Sequence, residues 1–124
     1  MANKLEEYIL ANGQQIRDTD AAYSNVIECK AFTGYFIQKL LLLKNTHNQA
    51  LTITIQGSRD FSDDQQIFDL GPSGVASTIA LAATTGKDYY PCLTEPWPYI
   101  RIKIQASTIP TSGGLWAYLI GEGK

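Results

Sequence analysis

Residues 99–105 run Tyr99, Ile100, Arg101, Ile102, Lys103, Ile104, Gln105, an unbroken alternation of polar and apolar side chains. Successive side chains of a β-strand point to opposite faces. This stretch therefore reads as a strand with its three isoleucines in a core and its other side wet. Residues 51–56 carry the same pattern: Leu51, Ile53 and Ile55 inward, Thr52, Thr54 and Gln56 outward. The triplet Pro96-Trp97-Pro98 stiffens the approach to residues 99–105, because each proline fixes its own φ and biases the residue before it toward extended shapes.

Further strands are expected at 26–32, 35–44, 65–70, 75–81, 89–93 and 115–120. Turns rich in Gly, Pro, Asn and Asp separate them, including 45–48, 71–74, 84–88 and 107–114. No stretch shows a long helical period. The pattern predicts an all-β fold, an antiparallel, jelly-roll-like β-sandwich of about 7–8 short strands.

Residues 1–22 lack the alternation. Leu5, Tyr8 and Ile9 fit one face of a short helical piece ended by Asn12-Gly13, and Asp18-Thr19-Asp20 offers a hinge. The expected organisation is an N-terminal arm over 1–22 and a sandwich domain over 23–124. The arm would dock on a sister subunit; the alternative is a terminal element packed on the domain edge.

Two strands are apolar on both faces. One contains Leu40, Leu41, Leu42 and Leu43; the other is 115–120, with Leu115, Ala117 and Leu119 against Trp116, Tyr118 and Ile120. One face of a small antiparallel sandwich is normally solvated, so a two-faced strand is covered by its own chain or by another subunit. The candidate interface is Leu5, Tyr8, Ile9, Leu10, Leu41, Leu43, Trp116, Tyr118 and Ile120.

With 44% apolar and 18% charged residues, the chain has material for one core. Its net charge of −2 and scattered cations leave no basic face for nucleic acid. The longest apolar run is the four leucines, far short of a membrane span. The polar N-terminus lacks a secretory leader's apolar run, so synthesis in a cytoplasm is expected, with Cys29 and Cys92 as free, buried thiols.

Catalytic groupings are missing. His47, the one histidine, sits in a turn, where a solvated surface residue is expected. Two distant cysteines and one histidine do not make a zinc site. The acidic stretch with Asp60, Asp63 and Asp64, and Asp69 beyond it, lacks calcium-loop spacing. Glu28, Asp88 and Glu95 show no pattern of paired carboxylates. No catalytic residue, cofactor or metal is expected. The remaining resource is an aromatic corner of Tyr89, Tyr90, Trp97 and Tyr99. It suits a sugar-stacking platform, a protein interface or packing over the end of the sandwich.

The segments Lys44-Asn45-Thr46, residues 51–60, Trp97-Pro98-Tyr99-Ile100-Arg101-Ile102 and Pro110-Thr111-Ser112-Gly113-Gly114 resemble small β-sandwich structural proteins of tailed bacteriophages and prophages, of the capsid decoration (cement) type. The resemblance covers roughly 15–121. It implies a non-enzymatic virion protein on the capsid surface, made in the host cytoplasm. It further implies a homo-oligomer, commonly a trimer, that binds across major capsid protein junctions and stabilises the shell. No nucleic-acid or membrane partner is implied. The alternatives are a tail or baseplate accessory protein, and a discoidin-like carbohydrate-binding adhesion module. Such modules usually continue the Gly57-Ser58-Arg59-Asp60 turn with Gly and Trp, where this chain has Phe61 and Ser62.

Overall fold

The computed structural model describes residues 4–28, 39–62, 64–70, 78–84, 86–92 and 98–123. Among the described residues ten strands follow in chain order: β1 (Lys4–Gln14), β2 (Ala22–Tyr23), β3 (Ile27–Glu28), β4 (Lys39–Asn45), β5 (Leu51–Ser58), β6 (Ile67–Leu70), β7 (Thr78–Leu81), β8 (Gly86–Cys92), β9 (Tyr99–Gln105) and β10 (Leu115–Gly123). Among the described residues the helical content is one 3-10 turn, Asp64–Gln66.

One sheet has the order β1-β10-β4-β8. The other is built on β9 and β5; β2 and β3 pair with the free side of β9, and β6 and β7 with the free side of β5. All of these pairings are antiparallel. The pairs are nested: β1 with β10, β2 and β3 with β9, β4 with β8, β5 with β6 and β7. The chain is thus one long double ribbon, closed at the β5–β6 end and wrapped so that β10 meets β4 and β9 meets β5. This is a jelly roll, as the sequence pattern predicts.

The sheets bury their inner faces against each other. Leu10, Leu41, Leu43, Leu115, Ala117 and Leu119 come from the first sheet. Leu51, Ile53, Ile55, Ile100, Ile102 and Ile104 come from the second, and all six are core residues as the alternation predicts. Each fully buried Leu or Ile contributes roughly 1.5–3 kcal/mol by removal from water. Thr54 and Gln56, predicted wet, are buried as well. Gln56 lies under a polar network described below.

The segment expected as an arm is placed otherwise. Residues 4–14 are not helical; they form edge strand β1 of the molecule's own first sheet, paired along β10 from Lys4↔Gly123 to Gln14↔Leu115. Two register shifts, at Leu10 and at Gly13, hid its alternation. They turn Leu10 and Ala11 both into the core. The Leu10 carbonyl accepts the Asn25 N–H at 2.9 Å, so the bulge ties the two sheets together. The turn expected at 84–88 is shorter, because β8 begins at Gly86. Cys29 lies outside the described residues, as does the Cys92 side chain.

Candidate functional site

Two features stand out: a polar knot that anchors the strand ends, and an apolar outer face on the first sheet.

The knot centres on His47, which is not solvated but 0% exposed. Its Nε2 accepts the Ile16 N–H at 3.0 Å, and its Nδ1 lies 2.8 Å from Asn45 Oδ1. Asn45 Oδ1 also accepts the His47 N–H at 2.9 Å, while Asn45 Nδ2 donates to the Gln49 and Ala82 carbonyls. Oδ1 is therefore the acceptor, and Nδ1 carries the imidazole proton. Nε2 must stay bare to receive Ile16. Burial first, and the Arg17 charge second, hold His47 below its ordinary pKa. Arg17 donates to the Gly113 and Ile16 carbonyls at 2.9 Å. Thr46 and Gly114 exchange further hydrogen bonds. Every polar atom of the imidazole is spent on structure, which leaves nothing to act on a substrate. Among the described residues, no three His, Cys, Asp or Glu gather as a metal site.

The outer face follows from register. In β10, Leu115, Ala117 and Leu119 are buried, so Trp116, Tyr118 and Ile120 project from the opposite side, each half-buried. Leu42 pairs with Tyr118 and Leu40 with Ile120; both leucines are half-buried on that face. Ile9 of β1 pairs with Tyr118 from the other side and is 45% exposed. The result is an apolar strip across three strands. Its ends are polar: Lys44 lies over Trp116 at 5.8 Å from the ring centroid, and exposed Glu7 pairs with Ile120. An apolar centre with a charged rim is the composition of a protein interface.

Of the nine predicted interface residues, Ile9, Trp116, Tyr118 and Ile120 lie on this strip. Tyr8 packs against the core, and Leu10, Leu41 and Leu43 lie within it. The leucine parity is the reverse of that expected: Leu41 faces in with Leu119 and Leu43 with Ala117, leaving Leu40 and Leu42 outside. Four consecutive leucines carry no parity of their own. Lys44, on the same side as Leu40 and Leu42, is the sequence signal for the outward set. Leu5 pairs with Glu122, its side chain outside the described set.

The aromatic corner divides between the sheets. Tyr89 and Tyr90 belong to β8 of the first and Tyr99 to β9 of the second, where Tyr99 is half-buried. Trp97 and the side chains of Tyr89 and Tyr90 lie outside the described residues.

No protein-family model matches this sequence, and no curated protein sequence does either. Among solved structures, Tobacco streak virus coat protein superposes with a TM-score of 0.51 at 12% identity, over 100% of this chain and 88% of that one. The fold is similar to that of this coat protein. At this identity the likeness concerns the fold alone. The SPBc2 prophage-derived protein YomS is found at a TM-score of 0.49 and 7% identity, over 99% and 98% of the two chains. A chitosan-binding module from a Paenibacillus chitosanase/glucanase is found at 0.49 and 11% identity, over 94% and 93%.

Proposed function

We propose that this protein is a non-enzymatic virion structural protein, a capsid decoration or cement protein that works as a symmetric homo-oligomer, with a trimer favoured. The observation that carries this reading is the apolar strip of Ile9, Leu40, Leu42, Trp116, Tyr118 and Ile120. A strip of that kind on a jelly roll is a docking face between subunits, and its charged rim supplies orientation. Seated across junctions of a major capsid protein, the oligomer favours the assembled shell by binding it more tightly than its separated parts. Symmetry multiplies the contacts.

The test has two arms. Light scattering of the wild-type chain at high micromolar concentration should give an oligomer, and Tyr118→Lys should return it to monomer with its circular dichroism unchanged. Co-sedimentation with purified capsids, followed by particle reconstruction, should place the protein between major capsid subunits. A monomeric wild type that also fails to sediment with capsids would overturn the reading. Density on a tail or baseplate would move the protein to that part of the virion.

A further inference from the structure

The outer face of the second sheet carries a different arrangement, centred on Arg101. The Arg101 guanidinium packs against two rings: the Tyr23 ring centroid is 4.0 Å from its Cζ and the Phe61 centroid 4.3 Å. Its Nε donates to Gln56 Oε1 at 2.9 Å, and Gln56 Nε2 donates to Asp69 Oδ1 at 3.0 Å. Arg101, Gln56 and Asp69 are register partners across β9, β5 and β6, so they form one row on one face.

Phe61 is brought over the guanidinium by a built loop. It adopts a positive φ of 58°, which a bulky residue rarely accepts. The fully buried Ser58 hydroxyl holds that loop by accepting the Asp60 and Phe61 N–H groups. Among the described residues the charge is oriented but not neutralised. The neighbour that receives Nε is an amide, where a carboxylate would have closed an ion pair. Among the described residues no carboxylate is bonded to Arg101. Half-buried Lys103, two positions along on the same side of β9, adds positive charge. With Nε bonded to Gln56 and two rings against the guanidinium, the terminal Nη edge is what remains among the described residues. That edge is a planar two-donor fork, the shape that grips a carboxylate.

We propose that Arg101 is a receptor for one carboxylate, supplied by an Asp or Glu side chain of a partner protein. A protein source fits the composition of the patch, because an arginine set among aromatic rings, with Tyr23 45% exposed beside it, is the kind of anchor enriched at protein–protein interfaces. The aromatic pair restrains the guanidinium, so little freedom is lost on binding. This inference stands apart from the function of the first sheet's strip, which lies on the other sheet.

The experiment is an NMR titration of the full-length, nitrogen-15-labelled chain, following the Arg101 Nε–Hε signal. The probes are sodium acetate, a capped Glu-containing peptide and trigalacturonic acid, each against sodium chloride at matched ionic strength. Acetate and the peptide should shift the signal saturably in the millimolar range, beyond the chloride control. The backbone amides of Arg101 and Gln56 should move with it, giving a readout that survives mutation. Arg101→Lys keeps the charge but removes the fork, and Phe61→Leu removes one of the two rings. Followed on those amides, each should raise the half-saturation concentration by about fivefold or more. Well-dispersed amide spectra would show both variants folded. A chloride-like response to every probe, or unchanged binding by Arg101→Lys, would overturn the proposal. Saturation by trigalacturonic acid alone would overturn the protein source.

Discussion

Nε2 of the buried His47 accepts the Ile16 N–H at 3.0 Å and so fastens the end of β1 to the turn after β4. An orphaned buried N–H costs the desolvation of that group, and a truncated imidazole leaves a void beside it. His47→Ala should destabilise the protein by about 3 kcal/mol in urea unfolding. A change under about 0.5 kcal/mol, the range of ordinary surface substitutions, would show that the bond is dispensable.

Stability should also fall as pH is lowered, beginning near the ordinary histidine pKa of 6.5. The native pKa is depressed, so between it and 6.5 the unfolded chain binds a proton that the native chain refuses. This contribution is fully present above 6.5 and is lost as pH falls through the lowered native value. His47→Gln should be less stable at neutral pH but lack this decline. Asp60, lowered by hydrogen bonds from Ser62, acts only below its ordinary 3.8, so its effect is separate. Urea midpoints of both proteins at half-unit steps from pH 8 to 4.5 would check this; parallel curves would refute it.

Deleting residues 1–16 should abolish folding. The cut removes Leu10, Ala11 and Ile16 from the core and uncovers the whole β10 edge. The two larger side chains alone are worth roughly 1.5–3 kcal/mol each. The lost ladder adds to that, against a total stability of about 5–15 kcal/mol for a typical protein. The check is the amide spectrum of the truncated chain. A dispersed, native-like spectrum would mean that β1 is an accessory.

Gly113 has a φ of +90°, and a Cβ there would sit 2.1 Å from the Thr46 carbonyl oxygen. Thr46 cannot yield, because its N–H and hydroxyl are both bonded to Gly114. Gly113→Ala should cost more than about 3 kcal/mol, combining backbone strain with the clash. Thermal unfolding compared with Ser112→Ala, an exposed neighbour, measures it.

The amino-acid order alone determined the strands β5 and β9, their inward faces and the all-β class. Period-2 alternation is a local property, and Ile100, Ile102 and Ile104 announce their side without reference to any other strand. The same local rule could not read β1, since its two bulges break the period wherever the partner strand demands an extra residue. Nor could it choose between Leu40 with Leu42 and Leu41 with Leu43, because identical side chains leave parity to the register with β10. His47 and Arg101 are further cases. Their roles depend on atoms 31 and 45 positions away, the Ile16 N–H and the Gln56 side chain. Only the wrapped ribbon brings those groups within hydrogen-bonding distance, so the buried knot and the ring-packed guanidinium are products of tertiary structure.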